Sequence, residues 1–459
     1  MSPHPTTTPL HSCGGLAFAA AALLALAGHL PASQESEAVL ANFGDMEWIA
    51  GTDVGELNNG SAWQPSFEGQ PATEVDLSEP HSATGDLLGN IYVADKNAHA
   101  IRVIGRDGRI RTVAGTNAAG YDGEGPATQR QLNGPQNAYP MPDGSFYILD
   151  TGNQRIRRVD AAGQMSTVIK ESAGLSRGLW VKRDASVIYY CTNAALKRWT
   201  PALGNNPGTV MANGFSELGN IDVAANGDIY VTDRGAASSD PTFSQVFRIA
   251  PNATPATFTP QRVAGTGGTT DSGPAANGSL ALNTGLSGVR GIAFHPAGGY
   301  FLATHKGGDI WYVDRGGLIQ MVVRGDSNNT HTTVPQPLPV TTNSISEVRF
   351  ISVAPNGDLL MATNDNGFIR RARYTGPLPA AAEITASPIP PGGAAQLTWT
   401  QSEGSWFRLE STTDPEAEVW GPRQIGQATG YPQLWTEPTA ASVQPRQFYR
   451  LRQFRAWPN

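Results

Sequence analysis

Two stretches decide the fold: GNIYVADKNAHAIRVI from Gly89 and GSFYILDTGNQRIRRV from Gly144. Each holds a turn, a short apolar strand, an Asp, a polar turn and a second strand. The pattern returns in ASVIYYCTNAALKRW from Ala185, GDIYVTDRG from Gly227, GGYFLATHKGGDIWYV from Gly298 and GDLLMATNDNGFIRRA from Gly357. Another strand precedes several of these units, as in IDVAANGD from Ile221, IAFHPAGG from Ile292 and ISVAPNGD from Ile351. A fourth strand follows in RIRTVAGT from Arg109, QMSTVI from Gln164, QRVAGT from Gln261 and LIQMVV from Leu318. Four strands joined by hairpin turns such as Asn226-Gly227 and Asn356-Gly357 form a propeller blade. The sixth unit ends at Tyr374 without its fourth strand, whereas MEWIAGT from Met46 has the fourth-strand pattern. Pairing that orphan with the last blade closes the ring and removes an open sheet edge. The expectation is an all-β, six-bladed propeller over residues 44–376.

Composition agrees with many turns between short strands. The 459 residues include 52 Gly and 34 Pro, and only 15% are charged. The net charge of −7 gives no positive excess for nucleic acid, so no nucleic-acid partner is expected. Residues 15–28, GLAFAAAALLALAG, are too short to span a bilayer comfortably and suit a signal peptide over residues 1–33. The lack of Lys or Arg before that run leaves an uncleaved apolar anchor as the other reading. No later segment is apolar enough to span a membrane. The chain is therefore read as exported (periplasmic, cell-surface or extracellular) and monomeric. Removal of the signal leaves Cys191 as the one cysteine, and its strand setting, VIYYCTN, reads as a buried inert thiol.

The repeats align the Asp/Thr column Asp95, Asp150, Thr192, Asp233, Thr304 and Thr363, read as structural because short oxygen side chains bond nearby turn backbone. The residues that start each innermost strand should line the mouth of the central channel. They are His81, Gln136, Arg177, Gly219, Arg290 and Arg349, followed by Ser82, Asn137, Gly178, Asn220, Gly291 and Phe350. Long inserts at 51–79, 115–134, 265–287 and 324–346 fall on the same face, where binding loops concentrate.

These units resemble the NHL-repeat family of β-propellers. YVADKNAHAIRV and YILDTGNQRIRRV carry its strand–Asp–turn–Ile-Arg pattern, and VAGTNAAGYDGEGPATQRQLNGP from Val113 is similar to a loop of its bacterial members. The likeness covers about 330 residues. It implies a fold more than a function, because such propellers include lyases, kinase sensor domains and RNA binders.

Related lactonases and amidating lyases hold a divalent cation in the channel, and a hard cation needs carboxylate oxygens. The two columns offer Asn137 and Asn220 but no Asp or Glu, and they carry three arginines. No metal and no cofactor are expected. The leading function is binding at the loop-rich face, by His81, Gln136, Asn137, Arg177, Asn220, Arg290 and Arg349, of an anionic glycan or a protein partner. The competing reading pairs the arginines with loop carboxylates, with Asp122, Glu124 and Glu347 as candidates. The alternative function is a lyase or lactonase with its site in the channel.

No zinc pattern, GxSxG, Walker loop or EF-hand is present, and DGEG at Asp122 reads as a glycine turn. His295, before the turn in FHPAGG, reads as structural. Residues 377–393 are Pro- and Ala-rich and read as a linker or an extended entry strand, and residues 394–459 as a small β-sandwich-like module ending in FYRLR. Five of the ten tryptophans lie there. Trp399 and Trp406 read as core, whereas Trp420 and Trp435 lie in Pro/Gly-rich surroundings open to sugar stacking.

Overall fold

The computed structural model describes residues 32–52, 61–235, 243–256, 259, 261–267, 272–305, 307–325, 336–338, 345–363 and 367–376, together with six C-terminal strands between 384 and 454. The expected signal peptide lies almost wholly outside the described residues, which begin with a helix at Ala32–Leu40. The remaining described chain is nearly all β. No described helix is long and apolar enough to cross a membrane.

Six antiparallel sheets form six blades. The innermost strands are Pro80–Gly85, Asn137–Pro140, Leu175–Val181, Leu218–Val223, Val289–Phe294 and Val348–Val353, numbered here as blades one to six. Blade one continues outward through Ile91–Asp95, Ala100–Ile104 and Ile110–Ala114. Blade six is completed as expected: its third strand, Ile369–Tyr374, pairs with the N-terminal strand Phe43–Ala50. The register sets Glu47 opposite Arg371, and the Glu47 carboxylate accepts hydrogen bonds from Arg371 at 2.7 Å and Arg373 at 3.0 Å. Gln336–Pro337 adds a further short strand outside Phe43–Ala50.

The core divides into six apolar clusters, each shared by two neighbouring blades. Alternating strand residues face the next blade on either side, so no blade buries its apolar faces alone. The N-terminal piece joins two of these clusters, Phe43 and Met46 between blades five and six and Ala50 between blades six and one. Val39 and Leu40 of the helix join the former.

The Asp/Thr column is structural, as read. Asp95 accepts the Ser78 N–H at 2.6 Å, Asp150 the Asn133 N–H at 2.8 Å and Asp233 the Ser216 N–H at 3.1 Å. Each bond spans the same 17 residues and fixes the loop entering the innermost strand. Thr192, Thr304 and Thr363 instead bond the carbonyls of Ala195, Asp309 and Phe368, closing only their own turn.

The inserts are straps. Single-turn 3-10 helices at Ala72–Glu74, Ala127–Gln129 and Ala281–Asn283 begin with a buried Ala. Each Ala carbonyl accepts from the Gly of the preceding strand end (Gly51, Gly115 or Gly265), and each Ala N–H donates to Gly108, Gly163 or Gly317 of the next blade. The first two straps lay Trp63 and Tyr121 over the buried Arg102 and Arg157. Most of the insert 324–346 lies outside the described residues.

Cys191 is buried and free, and burial pushes its thiol up. His295 is buried beside Phe43, Phe301 and Tyr374, with Nε2 3.1 Å from the Gly357 carbonyl, in keeping with a structural role. Asp122 accepts the Gln131 N–H at 2.8 Å within its glycine turn.

The C-terminal strands form two antiparallel three-stranded sheets. One orders Ile384–Ala386, Gln396–Trp399 and Gln433–Thr436, and the other Gly421–Gln427, Trp406–Thr412 and Phe448–Phe454. Within residues 377–393 the described strand Ile384–Ala386 pairs with Gln396–Trp399, Ile384 opposite Trp399, as an extended entry strand would. Trp435 also falls in a strand, not a loop, opposite Leu397. Trp420 lies outside the described residues.

Candidate functional site

The two columns read from the repeats share one register. Ser82, Gly291 and Phe350 each pair with the residue before the Asp/Thr column, and the pairings in blades two, three and four place Asn137, Gly178 and Asn220 at the equivalent height. Blade four supplies Gly219, not a side chain, to the first column. A Cβ there would lie 2.6 Å from the Arg290 carbonyl oxygen, because blade five approaches so closely.

The side chains of the first column act on one another across the ring. Burial, and then Arg349 of blade six, disfavour the charge on Arg177 of blade three, and both arginines act on His81 of blade one. Arg290 of blade five feels Arg177, Arg349 and Arg234. Blades three and six are diametrically opposed, so this coupling runs across the central opening. Arg177, Arg290 and Arg349 therefore meet at one mouth, with His81.

Further charged groups join them that the column did not contain. Lys96, Arg234 and His305 each follow the Asp/Thr column directly, in Asp95-Lys96, Asp233-Arg234 and Thr304-His305. Glu79, Glu217 and Glu347 each stand two residues before the first column. The expectation that the mouth lacks carboxylates is corrected by these three. Both sets were legible as repeat positions, but they lie in turns, where strand periodicity gives no cue.

The carboxylates are held by cations and by two imidazoles. Glu79 meets His81 Nε2 at 3.1 Å, Lys96 Nζ at 2.7 Å and Arg349 at 3.7 Å. Glu347 meets Arg349 at 2.8 Å and His305 at 3.8 Å, and Glu217 pairs with Arg234. Burial pushes the Glu79 carboxyl up, and His81 and Lys96 more than reverse it, holding it well below the usual range. Of the pairings expected for the arginines, that with Glu347 forms. Asp122 and Glu124 instead contact Arg130 and Arg157 in the second strap.

Two arginines stay bare. Arg290 is 4% exposed, its guanidinium makes no ion pair or hydrogen bond among the described residues, and its Nη1 is buried without a partner. Arg177 likewise leaves Nε unpartnered. Burial, and then the neighbouring arginines, disfavour the charge on Arg290 and hold His305 well below the usual imidazole range. Among the described residues the mouth holds five cations (Lys96, Arg177, Arg234, Arg290, Arg349) against three carboxylates. Such a field attracts anions and repels metal ions.

Backbone conformation singles out two of the carboxylates. The position two residues before the mouth is left-handed in four blades, filled by Gly134 and Gly288 in two of them and by Glu79 (φ 59°) and Glu347 (φ 43°) in the others. A side chain there costs about 1–2 kcal/mol. Glutamates held at a glycine position point to the mouth as the place where charge matters.

Gln136 belongs to the mouth column, and Asn137 and Asn220 continue one residue further along their strands. Asn137 and Asn220 each donate an amide N–H to the next blade, to the Arg177 and Ile292 carbonyls at 3.4 Å. Asn220 borders a cavity of about 50 Å³ toward the opposite end of the channel, shared with Tyr139, Trp180, Arg183, Asp222 and Phe350. Among the described residues no three His, Cys, Asp or Glu side chains cluster as metal ligands.

No family model matches the chain. Teneurin-3 of Mus musculus is 33% identical over 105 residues, covering 20% of this chain, and teneurin-3 of Danio rerio is 34% identical over 112 residues, covering 21%. The chain spans only 4% of the length of either of these relatives. Two solved Bacteroides thetaiotaomicron structures superpose with TM-scores of 0.52 at 13% identity. One is a structural genomics protein of unknown function, matched over 72% of this chain and 75% of that one. The other is an auxiliary nutrient binding protein, matched over 72% and 76%. At this identity the likeness is one of fold: the chain is a six-bladed β-propeller of the kind seen in those bacterial proteins.

Proposed function

We propose that this is an exported, monomeric NHL-type propeller that binds an anion-bearing ligand at its arginine-lined mouth. The observation that carries the reading is Arg290, a guanidinium almost wholly buried with no anionic partner. Burying an unpaired charge costs several kcal/mol, which a bound anion offsets by bidentate hydrogen bonds. The excess of cations and the bare Arg177 support it further. A binding role agrees with the nutrient-binding protein of like fold. Export rests on the apolar run 15–28. The two C-terminal sheets are read as a small β-sandwich that accompanies the propeller.

Titration calorimetry of the full chain in low-chloride buffer, with sulfate, phosphate and glucuronate, tests the reading. At least one should bind, and Arg290→Met should abolish that binding. The same variant should be about 1–3 kcal/mol more stable than the parent without anion, since it removes an uncompensated buried charge. Absence of heat and of any thermal shift with every anion would sink the proposal.

A further inference from the structure

We infer that the ligand is an acidic sugar taken end-on, its anionic group on Arg177 and Arg290 and its hydroxyls on a set of acceptors beside and below them. This rests on the anion-binding reading above and adds the other half of the site.

The mouth supplies bare donors, and bare acceptors stand beside and below them. Gln136 Oε1, Asn137 Oδ1 and Asn220 Oδ1 are buried without a hydrogen-bond partner among the described residues. Asn137 and Asn220, 1% and 4% exposed, are fixed with their carbonyls free because their N–H groups bridge to the next blade. His81 adds a fourth acceptor: with Nε2–H donated to Glu79, Nδ1 is left with a lone pair and no partner. Sulfate or acetate has no donor to offer such groups, and hydrogen phosphate has only one. A ligand that satisfies both sets must carry negative charge and several O–H or N–H donors. The excess of positive charge disfavours an ammonium, which leaves hydroxyls.

Depth limits the ligand's shape. Arg290, Asn137 and Asn220 are all nearly fully buried around the axis of a closed ring. To satisfy groups this buried, a terminal sugar needs only one opening, whereas an internal unit of a polymer needs a path for chain on both sides. The anion can be a carboxylate or a phosphate ester, since both fit a guanidinium fork.

The test is calorimetry on the full chain with galacturonate, glucuronate, mannuronate and glucose 6-phosphate, set against acetate, sulfate and methyl galactoside. The best acidic sugar should bind at least tenfold tighter than each of those three, and whether a uronate or glucose 6-phosphate leads tells carboxylate from phosphate. Asn220→Ala should cost the acidic sugar about tenfold and leave sulfate affinity unchanged, and Asn137→Ala serves if the first variant does not fold. Equal affinity for sulfate and every acidic sugar, or loss of both in Asn220→Ala, overturns the inference while leaving an anion site. Binding of methyl galactoside as tight as that of the uronates also overturns it. No binding of any anion overturns the earlier reading as well.

Discussion

Imidazoles buried beside guanidinium groups are kept uncharged, and this gives the mouth a pH signature. Burial first, then Arg177, Lys96 and Arg349, bring His81 down to about 3, against the pull of Glu79. His305 is pushed down for the same reasons, burial foremost. The unfolded chain binds these protons near pH 6.5, whereas the folded chain does not. The stabilisation is therefore complete above pH 6.5 and is lost as pH falls from there toward 3. His81 alone should remove about 2 kcal/mol between pH 6.5 and 5. Urea unfolding of the parent at pH 7.5 and pH 5 should show that loss, and His81→Gln, which can still donate to Glu79, should shrink it. An identical pH dependence in parent and variant would show that His81 already accepts a proton in the fold. The Glu79 carboxyl adds to the loss in the same direction at lower pH, since its folded value lies below the unfolded one.

Within a blade, the turn after the second strand decides how firmly the loop above it is held. Asp95 joins three elements at once: the Ser78 N–H of the entering loop, Arg102 Nε of the third strand at 3.2 Å, and through Arg102 the strap residue Trp63, 3.6 Å from the guanidinium. Arg102 has no exposed surface, and its other carboxylate contact, the part-exposed Glu68, lies at 4.0 Å, so deleting Asp95 leaves a buried charge poorly paired. Asp95→Ala should cost about 3–5 kcal/mol. Thr363→Ala, at the same position of blade six, should cost about 1 kcal/mol, because Thr363 closes only a local turn. Denaturant unfolding of both variants checks the contrast, and equal losses would mean that the Asp column does not tie loop to strap. Much of this was legible in the sequence, because a strand alternates with period two and a repeated Asp marks a repeated turn. The aligned columns, the closing strand and the structural reading of the Asp/Thr column all followed from that. Glu347 was a candidate partner for the arginines, but Lys96, Arg234, His305, Glu79 and Glu217 did not follow, since turn positions have no periodicity and the backbone conformation at Glu79 and Glu347 is invisible in one sequence. The strap stacking was equally hidden, because Trp63 and Arg102 are distant in the chain and meet only when the insert folds back over its blade.

A ring of blades has a cooperativity that an open stack lacks, since each of the six apolar clusters belongs to two blades and every blade needs both neighbours. Closure falls to one short segment. Phe43–Ala50 supplies the outer strand of blade six, contributes Phe43, Met46 and Ala50 to two adjacent clusters, and sets Glu47 against Arg371 and Arg373. The helix Ala32–Leu40 anchors it, with Ser36 bonding Asp314 of blade five at 3.4 Å and Val39 and Leu40 packed beneath. Removing residues 32–50 would open the edge of Ile369–Tyr374 and uncover apolar surface on both of its sides, conditions that favour edge-to-edge association. A chain beginning at Gly51 should therefore aggregate, and sedimentation analysis should find no folded monomer. A permuted chain that starts at Gly51 and carries residues 42–50 after Gly376 through a short turn should restore a monomeric propeller, because Phe43 already sits opposite Tyr374. Recovery of anion binding in the permuted chain but not in the truncated one would tie the mouth to closure of the ring. A truncated chain that stays monomeric and binds as the parent does would instead show that five complete blades and a partial sixth hold the channel on their own.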